Sequence, residues 1–243
     1  MADRYFVPPP IRPPRVEISG AEAHHMAHVM RAEAGTPVVL FDGSGVEFPA
    51  EVARVTRNRV ELAVGAARAI DRELAVAIVL GIALPKGDRQ KWLVEKAVEL
   101  GVSRLVPLEA TRTVARAGGA AIERLRRQGI EAAKQCGRNR LMEIAPPMAW
   151  REWIAETSAI ERRYLAHPGG QPAASSLASL SLSGSEANAM IAFSVGPEGG
   201  FTTDEVVEAH SAGWTPIDLG SRILRTETAA VALAAMVSLG HGR

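Results

Sequence analysis

The sequence predicts an α/β protein in which a small β-rich module, residues 1–72, precedes an α/β domain with a largely parallel sheet, residues 73–243. The run LAVAIVLGIALP, residues 74–85, is almost continuously aliphatic, which is typical of a strand buried on both faces of a parallel sheet. After it, apolar strand segments alternate with helical ones, as they do in α/β domains. Before it, short apolar runs are separated by turn signals.

The first module should consist mainly of strands. The segment VVLFDGSGVEFPAEVARV, residues 38–55, predicts two strands joined by a turn at Asp42–Gly45. RVELAV, residues 59–64, alternates charged and aliphatic side chains and predicts a further strand. AEAHHMAHVMRA, residues 21–32, predicts one helix that ends at Gly35.

In the second domain, strands should alternate with helices. Asp88 is a candidate cap for a helix that places Leu93, Ala97 and Leu100 on one face and ends at Gly101. The remaining predicted elements are, in order, strand 104–110, helix 120–136, helix 150–157, strand 162–168, a polar Ser/Ala/Gly loop, strand 189–195, a helix, strand 215–220 and a final helix.

Composition limits the class of protein. The chain has one cysteine, Cys136, which rules out an intrachain disulfide and predicts a reducing, cytoplasmic environment. No apolar run approaches the roughly 20 residues of a membrane span, so no membrane partner is expected. Formal net charge is +1, yet residues 86–140 hold 13 Lys and Arg against 6 Asp and Glu. This excess of basic residues is consistent with a polyanionic partner. The alternative, that the basic residues simply lie on solvent-exposed helix faces, stays open.

The most informative motif is the glycine-rich turn SVGPEGGFTTDEV, residues 194–206. Its glycines let the backbone turn sharply or approach a ligand closely. Thr202 and Glu205 fit a capping box that starts the next helix. A dinucleotide fold would need G-x-G-x-x-G, which the proline and glutamate interrupt, and Glu198 would repel a phosphate. The turn therefore predicts a ligand group other than a phosphate.

A second loop, LGSRILRTET at residues 219–228, follows the last predicted strand. It combines two arginines, a glutamate and two threonines beside the apolar helix AAVALAAMVSL. Charges next to a buried helix require partners. Because both loops follow strands, where parallel sheets bind ligands, a ligand site is favoured over a purely structural network.

Two basic segments have more than one interpretation. His24 and His28 have helical i,i+4 spacing, but the segment lacks further metal ligands, so no metal site is predicted. An RNA-contacting surface and an ordinary amphipathic helix both remain open there. KGDRQKW, residues 86–92, opens a helix after a strand and could bind an anion, although it is not a Walker A loop.

Four segments together resemble one known family: VGPEGGFTTDEV, LGSRILRTETAAVAL, KGDRQKWLVEKAVELGV and KQCGRNR. Over nearly its whole length the chain is similar to the bacterial 16S ribosomal RNA uridine-N3 methyltransferases of the SPOUT superfamily. Lys134 and Cys136 depart from the acidic residue and the serine common in that family. Both lie at a helix end, outside the two ligand loops.

The resemblance implies a PUA-like RNA-binding β-barrel at residues 1–72 and a SPOUT α/β-knot domain at residues 73–243. It also implies a deep trefoil knot, which is a rare exception to chain topology, a homodimer, and S-adenosyl-L-methionine as the cofactor. The residues that it assigns to the cofactor are His167, Gly196, Pro197, Glu198, Gly199, Gly200, Leu219, Gly220, Arg222, Ile223, Leu224, Thr226, Glu227 and Thr228.

The implied reaction is methylation of a uridine at N3 in 16S ribosomal RNA, within the assembled small ribosomal subunit. Because N3 lies on the base-pairing edge, the target base must be unpaired or turned outward. Glu198 and Arg225 are the candidate catalytic residues. The candidate RNA contacts are Arg4, His24, His28, Arg31, Lys86, Arg89, Arg112 and Arg138.

Three alternatives stay open on the sequence. A ribose 2′-O-methyltransferase of the same superfamily would keep the fold and methylate the sugar. A non-catalytic RNA-binding or assembly factor would keep the fold as a scaffold. A Rossmann oxidoreductase is the third, although no dinucleotide fingerprint follows any strand.

Overall fold

The computed structural model describes residues 3–178 and 189–240, and the chain divides into two compact units. The first unit is built from residues up to Glu73 together with Ala133–Leu141. The second contains Leu74–Ala132 and the residues from Met142 onward. No sequence signal marks the return of residues 133–141 to the first unit.

The first unit is a mixed sheet. Its strands are β1 (Asp3–Phe6), β2 (Arg15–Ser19), β3 (Pro37–Phe41), β4 (Val46–Val55), β5 (Arg59–Val64) and β6 (Arg68–Ala69). They lie in the order β1-β3-β4-β5-β2, with β6 beside β4; β1 is parallel to β3 and the other pairs are antiparallel. In the turn between β3 and β4, the Asp42 carboxylate accepts a hydrogen bond from the Ser44 N–H at 3.1 Å. The predicted hairpin and the third strand are confirmed.

The predicted helix of the first unit is only partly regular. It starts as α1 (Gly20–His24) and continues as a π turn over His25–Val29. Met26 in this turn is fully buried in the core of the unit. The helical segment ends at Val29, before the predicted end at Gly35, and Arg31 has a φ of 54°, which is uncommon for a residue other than glycine.

A buried ionic network stabilises the first unit. Glu47 accepts hydrogen bonds from Arg4 at 2.7 Å and from Arg72 at 3.2 Å. Burial alone would raise the pKa of Glu47, but hydrogen bonds with Arg4, Arg72 and Asn139 outweigh it and the pKa is lowered. Arg138 is paired with Glu73 and its side chain is only 5% exposed. The charges inside this unit are thus partnered, as buried charges must be.

The second unit is a parallel α/β sheet, as predicted. Its elements are β7 (Val76–Ile82), α2 (Arg89–Glu99), β8 (Val102–Glu109), α3 (Gly119–Cys136), β9 (Glu143–Ile144), β10 (Met148–Ala149), α4 (Trp150–Glu156), β11 (Arg162–Pro172), α5 (Ala173–Ala178), β12 (Ala189–Val195), α6 (Thr203–Ser211), β13 (Thr215–Asp218) and α7 (Thr226–Gly240). The order is β10-β8-β7-β12-β11-β13 with β9 beside β8, and all of these pairs are parallel.

The core of this unit fixes the end of β12. Trp153 is fully buried, 5.9 Å from the Trp214 ring between centroids, and its indole N–H donates to the Ser194 hydroxyl at 2.7 Å. A Cβ on Gly81 in β7 would come within 2.6 Å of the Trp153 ring, so only glycine leaves room for it. Ser194 is therefore held in place at the first position of the glycine-rich turn.

Two local predictions for this unit need correction. Asp88 occupies the predicted capping position, but its side chain makes no capping hydrogen bond because its own backbone is already helical, with φ −65° and ψ −16°. Residues 173–178, predicted as part of a polar loop, form the helix α5. The rest of that predicted loop, residues 179–188, lies outside the described residues. Among the helices in the described ranges, none is long and apolar enough to cross a membrane.

Candidate active site

Three neighbouring strands of the second unit enclose a cavity of about 550 Å³. It lies at the irregular part of β11 and at the carboxyl ends of β12 and β13, the edge at which parallel sheets bind ligands. Its volume is in the range of small-molecule sites. The lining residues are Ala166, His167, Pro168, Val195, Gly196, Pro197, Glu198, Gly199, Gly200, Phe201, Ile217, Asp218, Leu219, Gly220, Arg222, Ile223, Leu224, Arg225, Thr226 and Ala229.

The two loops that the sequence predicts to bind a ligand both line the cavity. Of the residues assigned to a cofactor by resemblance, all but Glu227 and Thr228 line it. Both candidate catalytic residues, Glu198 and Arg225, line it as well. The sequence did not single out Asp218 or Phe201, which also form part of its wall.

The glycine-rich turn is shaped by its own backbone. Gly200 has φ 68°, a conformation that favours glycine, and its N–H donates to the Pro197 carbonyl at 2.7 Å. A Cβ on Gly196 would lie 3.0 Å from the Phe201 ring, so any larger residue at this position would be tightly packed against that ring. The turn thus presents mostly backbone to the cavity.

Glu205 caps α6 and also binds the loop that follows β8. The predicted capping box is confirmed, since Thr202 accepts from the Glu205 N–H at 3.2 Å and the Glu205 carboxylate accepts from the Thr202 N–H at 2.7 Å. The other carboxylate oxygen accepts from the Thr111 N–H at 2.7 Å and from its hydroxyl at 2.9 Å. Next to it, the Arg112 guanidinium donates to the Gly199 carbonyl at 2.7 Å. The loop after β8 is therefore tied to the glycine-rich turn.

Asp218 at the end of β13 holds two cavity loops together. Its carboxylate accepts from the Gly169 N–H and from the Gly220 N–H, each at 2.9 Å. These two hydrogen bonds, Gly169 first, lower the pKa of the Asp218 carboxyl. One of these two hydrogen bonds could have been predicted from the sequence. Asp218 ends a predicted strand two residues before Gly220, and an aspartate side chain in a turn often accepts a hydrogen bond from the backbone N–H two residues further on.

Replacing Asp218 with alanine should loosen both loops, because two amides lose their carboxylate acceptor. We expect hydrogen exchange at the Gly169 and Gly220 amides to become roughly tenfold faster or more. Exchange measured by NMR or mass spectrometry tests this, with Asp204→Ala as the control, since Asp204 is an exposed carboxylate on α6. Unchanged exchange at both amides would contradict the assignment.

The start of α7 contacts the opposite wall of the site. The Thr226 hydroxyl donates to the Gly196 carbonyl at 3.1 Å and so joins the 219–228 loop to the glycine-rich turn. Glu227 is buried and Thr228 is exposed, and neither residue lines the cavity. The structure therefore does not place these last two residues in the wall of the cavity.

A basic residue from α2 reaches the rim of the cavity. Arg89 lies 3.4 Å from a Glu227 carboxylate oxygen and 3.5 Å from a Glu198 carboxylate oxygen. Lys86, just before α2, is exposed. Arg222 and Arg225 are exposed too, and their side chains make no hydrogen bond or ion pair with any residue in the described ranges.

The candidate RNA contacts of the first unit divide into two groups. His24 and His28 are exposed with their ring centroids 4.6 Å apart, and Arg31 is exposed as well. Arg4 and Arg138 are buried in the ionic network, with side chains 8% and 5% exposed. Within residues 3–178 and 189–240, no group of three or more His, Cys, Asp or Glu side chains is arranged to hold a metal ion.

Comparison with known proteins identifies the family. A model of the RNA methyltransferase domain matches residues 72–238, and a model of the RNA methyltransferase PUA domain matches residues 18–64. This chain belongs to the RNA methyltransferase family. It is 30% identical over 225 residues to the ribosomal RNA small subunit methyltransferase E of Bacillus subtilis (strain 168), covering 89% of this chain and 86% of that one. The predicted membership is confirmed, and the oxidoreductase alternative is excluded.

Two solved structures of methyltransferases are similar to this RNA methyltransferase. One, from Legionella pneumophila, is in complex with the bound cofactor SAM; it has a TM-score of 0.87 and 27% identity, covering 99% of this chain and 98% of that one. The other is a ribosomal RNA small subunit methyltransferase E from Neisseria gonorrhoeae bound to S-adenosyl methionine, with a TM-score of 0.85, 29% identity and 98% coverage of both chains. The predicted fold class is confirmed, and the trefoil knot stays a prediction.

Proposed function

We propose that this methyltransferase uses S-adenosyl-L-methionine to methylate N3 of a uridine in 16S ribosomal RNA, in the cytoplasm, as a homodimer acting on the assembled small subunit. The observation that carries the proposal is the cavity between the glycine-rich turn and the 219–228 loop. Solved relatives that match 98–99% of this chain hold the same cofactor, and curated relatives are named for small-subunit ribosomal RNA.

The residues of the cavity fit an adenosyl group. The backbone of residues 196–200 offers N–H and carbonyl groups to a purine edge, and Leu219 and Leu224 offer apolar cover. Ile223 lines the cavity yet is 86% exposed, so its apolar surface lacks a covering group that a bound adenosyl moiety would supply. When bound, S-adenosylmethionine supplies a methyl group activated by its positive sulfonium.

The chain's own residues must orient the base and handle one proton. N3 of uridine carries a proton at neutral pH, so a group at the rim has to accept it as the methyl group is received. We assign acceptance of that proton to the Glu198 carboxylate and stabilisation of the negative charge on the uracil to the Arg225 guanidinium, because both residues line the cavity. Holding the base against the cavity lowers the barrier of the reaction further, because the reacting atoms are already positioned.

Exposed basic and imidazole groups are the proposed RNA contacts. In the first unit these are His24, His28 and Arg31, and in the second Lys86 and Arg112. We leave Arg4 and Arg138 out of this set because each is buried against a carboxylate of its own unit. Phosphate contacts from exposed cations would make RNA binding weaken as salt increases.

The decisive experiment is nucleoside mass spectrometry after incubation of the protein with S-adenosylmethionine and ribosomal RNA. Naked 16S RNA and assembled small subunits are tested separately. Formation of 3-methyluridine, on assembled subunits in particular, is the expected result. A 2′-O-methylated nucleoside would favour the ribose alternative. Binding of RNA without cofactor binding, measured by calorimetry, would favour the non-catalytic alternative.

Alanine in place of Glu198 or Arg225 should lower turnover more than cofactor affinity. We expect kcat to fall about 100-fold in each variant because a proton acceptor or a charge-stabilising group is lost. Calorimetry should give a Kd for S-adenosylmethionine within about tenfold of the wild-type value. Glu208→Ala, which changes a surface carboxylate on α6, serves as the control. Full turnover in both variants would remove these residues from the mechanism.

A further inference from the structure

Arg89 is shared between two carboxylates at the rim of the cavity. One guanidinium nitrogen lies 3.4 Å from Glu227, and another lies 3.5 Å from Glu198. Both contacts are longer than the roughly 2.7–2.9 Å of a tight charge-assisted hydrogen bond. Arg89 is also the first residue of α2, where the helix dipole disfavours a cation. Helix stability therefore does not explain this arginine.

The two carboxylates differ in how easily they can release Arg89. The Glu227 side chain is 7% exposed, and one of its oxygens is buried without a hydrogen bond to any described residue. Without Arg89, this buried carboxylate would have no partner among the residues that the structure describes, which is strongly unfavourable. Glu198 is 44% exposed, so water can replace Arg89 there at little cost. Any exchange of partners must occur on the Glu198 side.

We propose that Glu227 is a positioning residue that holds Arg89 at the rim, and that Arg89 exchanges Glu198 for the uracil of the target nucleotide. The proposal rests on the proposed function. As the N3–H bond breaks, an O–H bond forms on the Glu198 carboxylate. Negative charge thus passes from Glu198 to the uracil, and Arg89 follows the charge while it remains paired with Glu227. Arg225 has no such anchor among the described residues.

The first test measures positioning in the free protein, without cofactor or RNA. We expect the Arg89 side-chain Nε–H group to have a high NMR order parameter in the wild type. The order parameter should fall in Glu227→Gln, whereas Glu198→Gln should change it little because the buried partner remains. An unchanged order parameter in Glu227→Gln would overturn the positioning role.

The second test separates cofactor binding from turnover. In Arg89→Ala the Kd for S-adenosylmethionine should stay within about threefold of the wild type, because Arg89 does not line the cavity, while kcat falls about 100-fold. In Glu227→Gln kcat should fall about tenfold, and the double variant should be no slower than Arg89→Ala alone, since Glu227 acts through Arg89. Added guanidinium ion should restore part of the Arg89→Ala rate.

The controls keep the outcomes distinct. Lys91→Ala removes a cation from the same helix and should leave kcat unchanged, and Arg89→Lys replaces the alanine variant if that variant does not fold. Wild-type activity together with full kcat in Arg89→Ala would overturn this inference and leave the proposed function standing. A wild-type protein that transfers no methyl group to ribosomal RNA would overturn both.

Discussion

Replacing Gly170 with alanine should lower the free energy of unfolding of the second unit by about 3 kcal/mol or more. A Cβ at this position would lie 2.6 Å from the Pro216 carbonyl carbon and 2.7 Å from the Ile217 nitrogen. These atoms belong to the backbone of β13, which cannot move aside as a flexible side chain can. β13 would be pushed away from β11 at the point where Ile217 lines the cavity.

Urea denaturation followed by circular dichroism measures this effect, and calorimetry should detect a matching loss of affinity for S-adenosylmethionine. The matched control is Gly119→Ala at the start of α3, where a Cβ would meet nothing within 4 Å. Because alanine is the better helix former, this control should leave stability unchanged or raise it by about 0.5–1 kcal/mol. Equal urea midpoints for the two variants would show that the close approach of β11 and β13 is not needed.

Replacing Glu205 with glutamine should cost about 3 kcal/mol of stability at neutral pH. Glu205 is 6% exposed, and its carboxylate accepts three hydrogen bonds, two from Thr111 and one from the Thr202 N–H. A glutamine can accept with only one of its two terminal atoms, so buried donors would lose a partner. The loop that carries Arg112 should detach from the glycine-rich turn, with weaker cofactor binding as the second readout.

The effect of Glu205 should depend on pH in a defined direction. Burial would raise the pKa of this carboxyl, but hydrogen bonds from Thr111 and Thr202 outweigh it and lower the pKa. A carboxyl with a lowered folded-state pKa stabilises the fold above its unfolded pKa, about 4.3 for glutamate, and that stabilisation is lost as the pH falls through the folded value. The difference between wild type and Glu205→Gln should therefore shrink below about pH 4. As the control, Glu208→Gln changes a surface ion pair with Arg151, and its free energy of unfolding should differ from that of the wild type by under about 0.5 kcal/mol at any pH. A Glu205→Gln defect that is the same at pH 7 and pH 3 would contradict this account.

Local patterns predicted much of the fold. The continuous aliphatic run gave the central strand β7, and the alternation in RVELAV gave β5. The capping box at Thr202 was predictable because both of its hydrogen bonds join residues three positions apart. The two loops could be placed together because parallel strands end at one edge of the sheet. Each of these inferences needs only neighbouring residues and one rule of topology.

The features that were missed depend on contacts between residues far apart in the chain. Glu205 and Thr111 are 94 positions apart, and Arg4 meets Glu47 across 43. No periodicity in the sequence reveals such pairs. Arg4 and Arg138, which are both buried, therefore could not be distinguished from surface arginines in the sequence. The bond from Asp218 to Gly169 spans 49 positions and was missed for the same reason.

The packing around the glycine-rich turn also gives the protein an optical reporter of its own. The Trp150 ring lies 4.5 Å from the Phe201 ring between centroids, and Phe201 lines the cavity. Trp153, one helical turn further on, donates its indole N–H to Ser194, the first residue of the turn. Indole emission is sensitive to contact with neighbouring groups, so we expect occupancy of the cavity to change the intrinsic fluorescence of the protein.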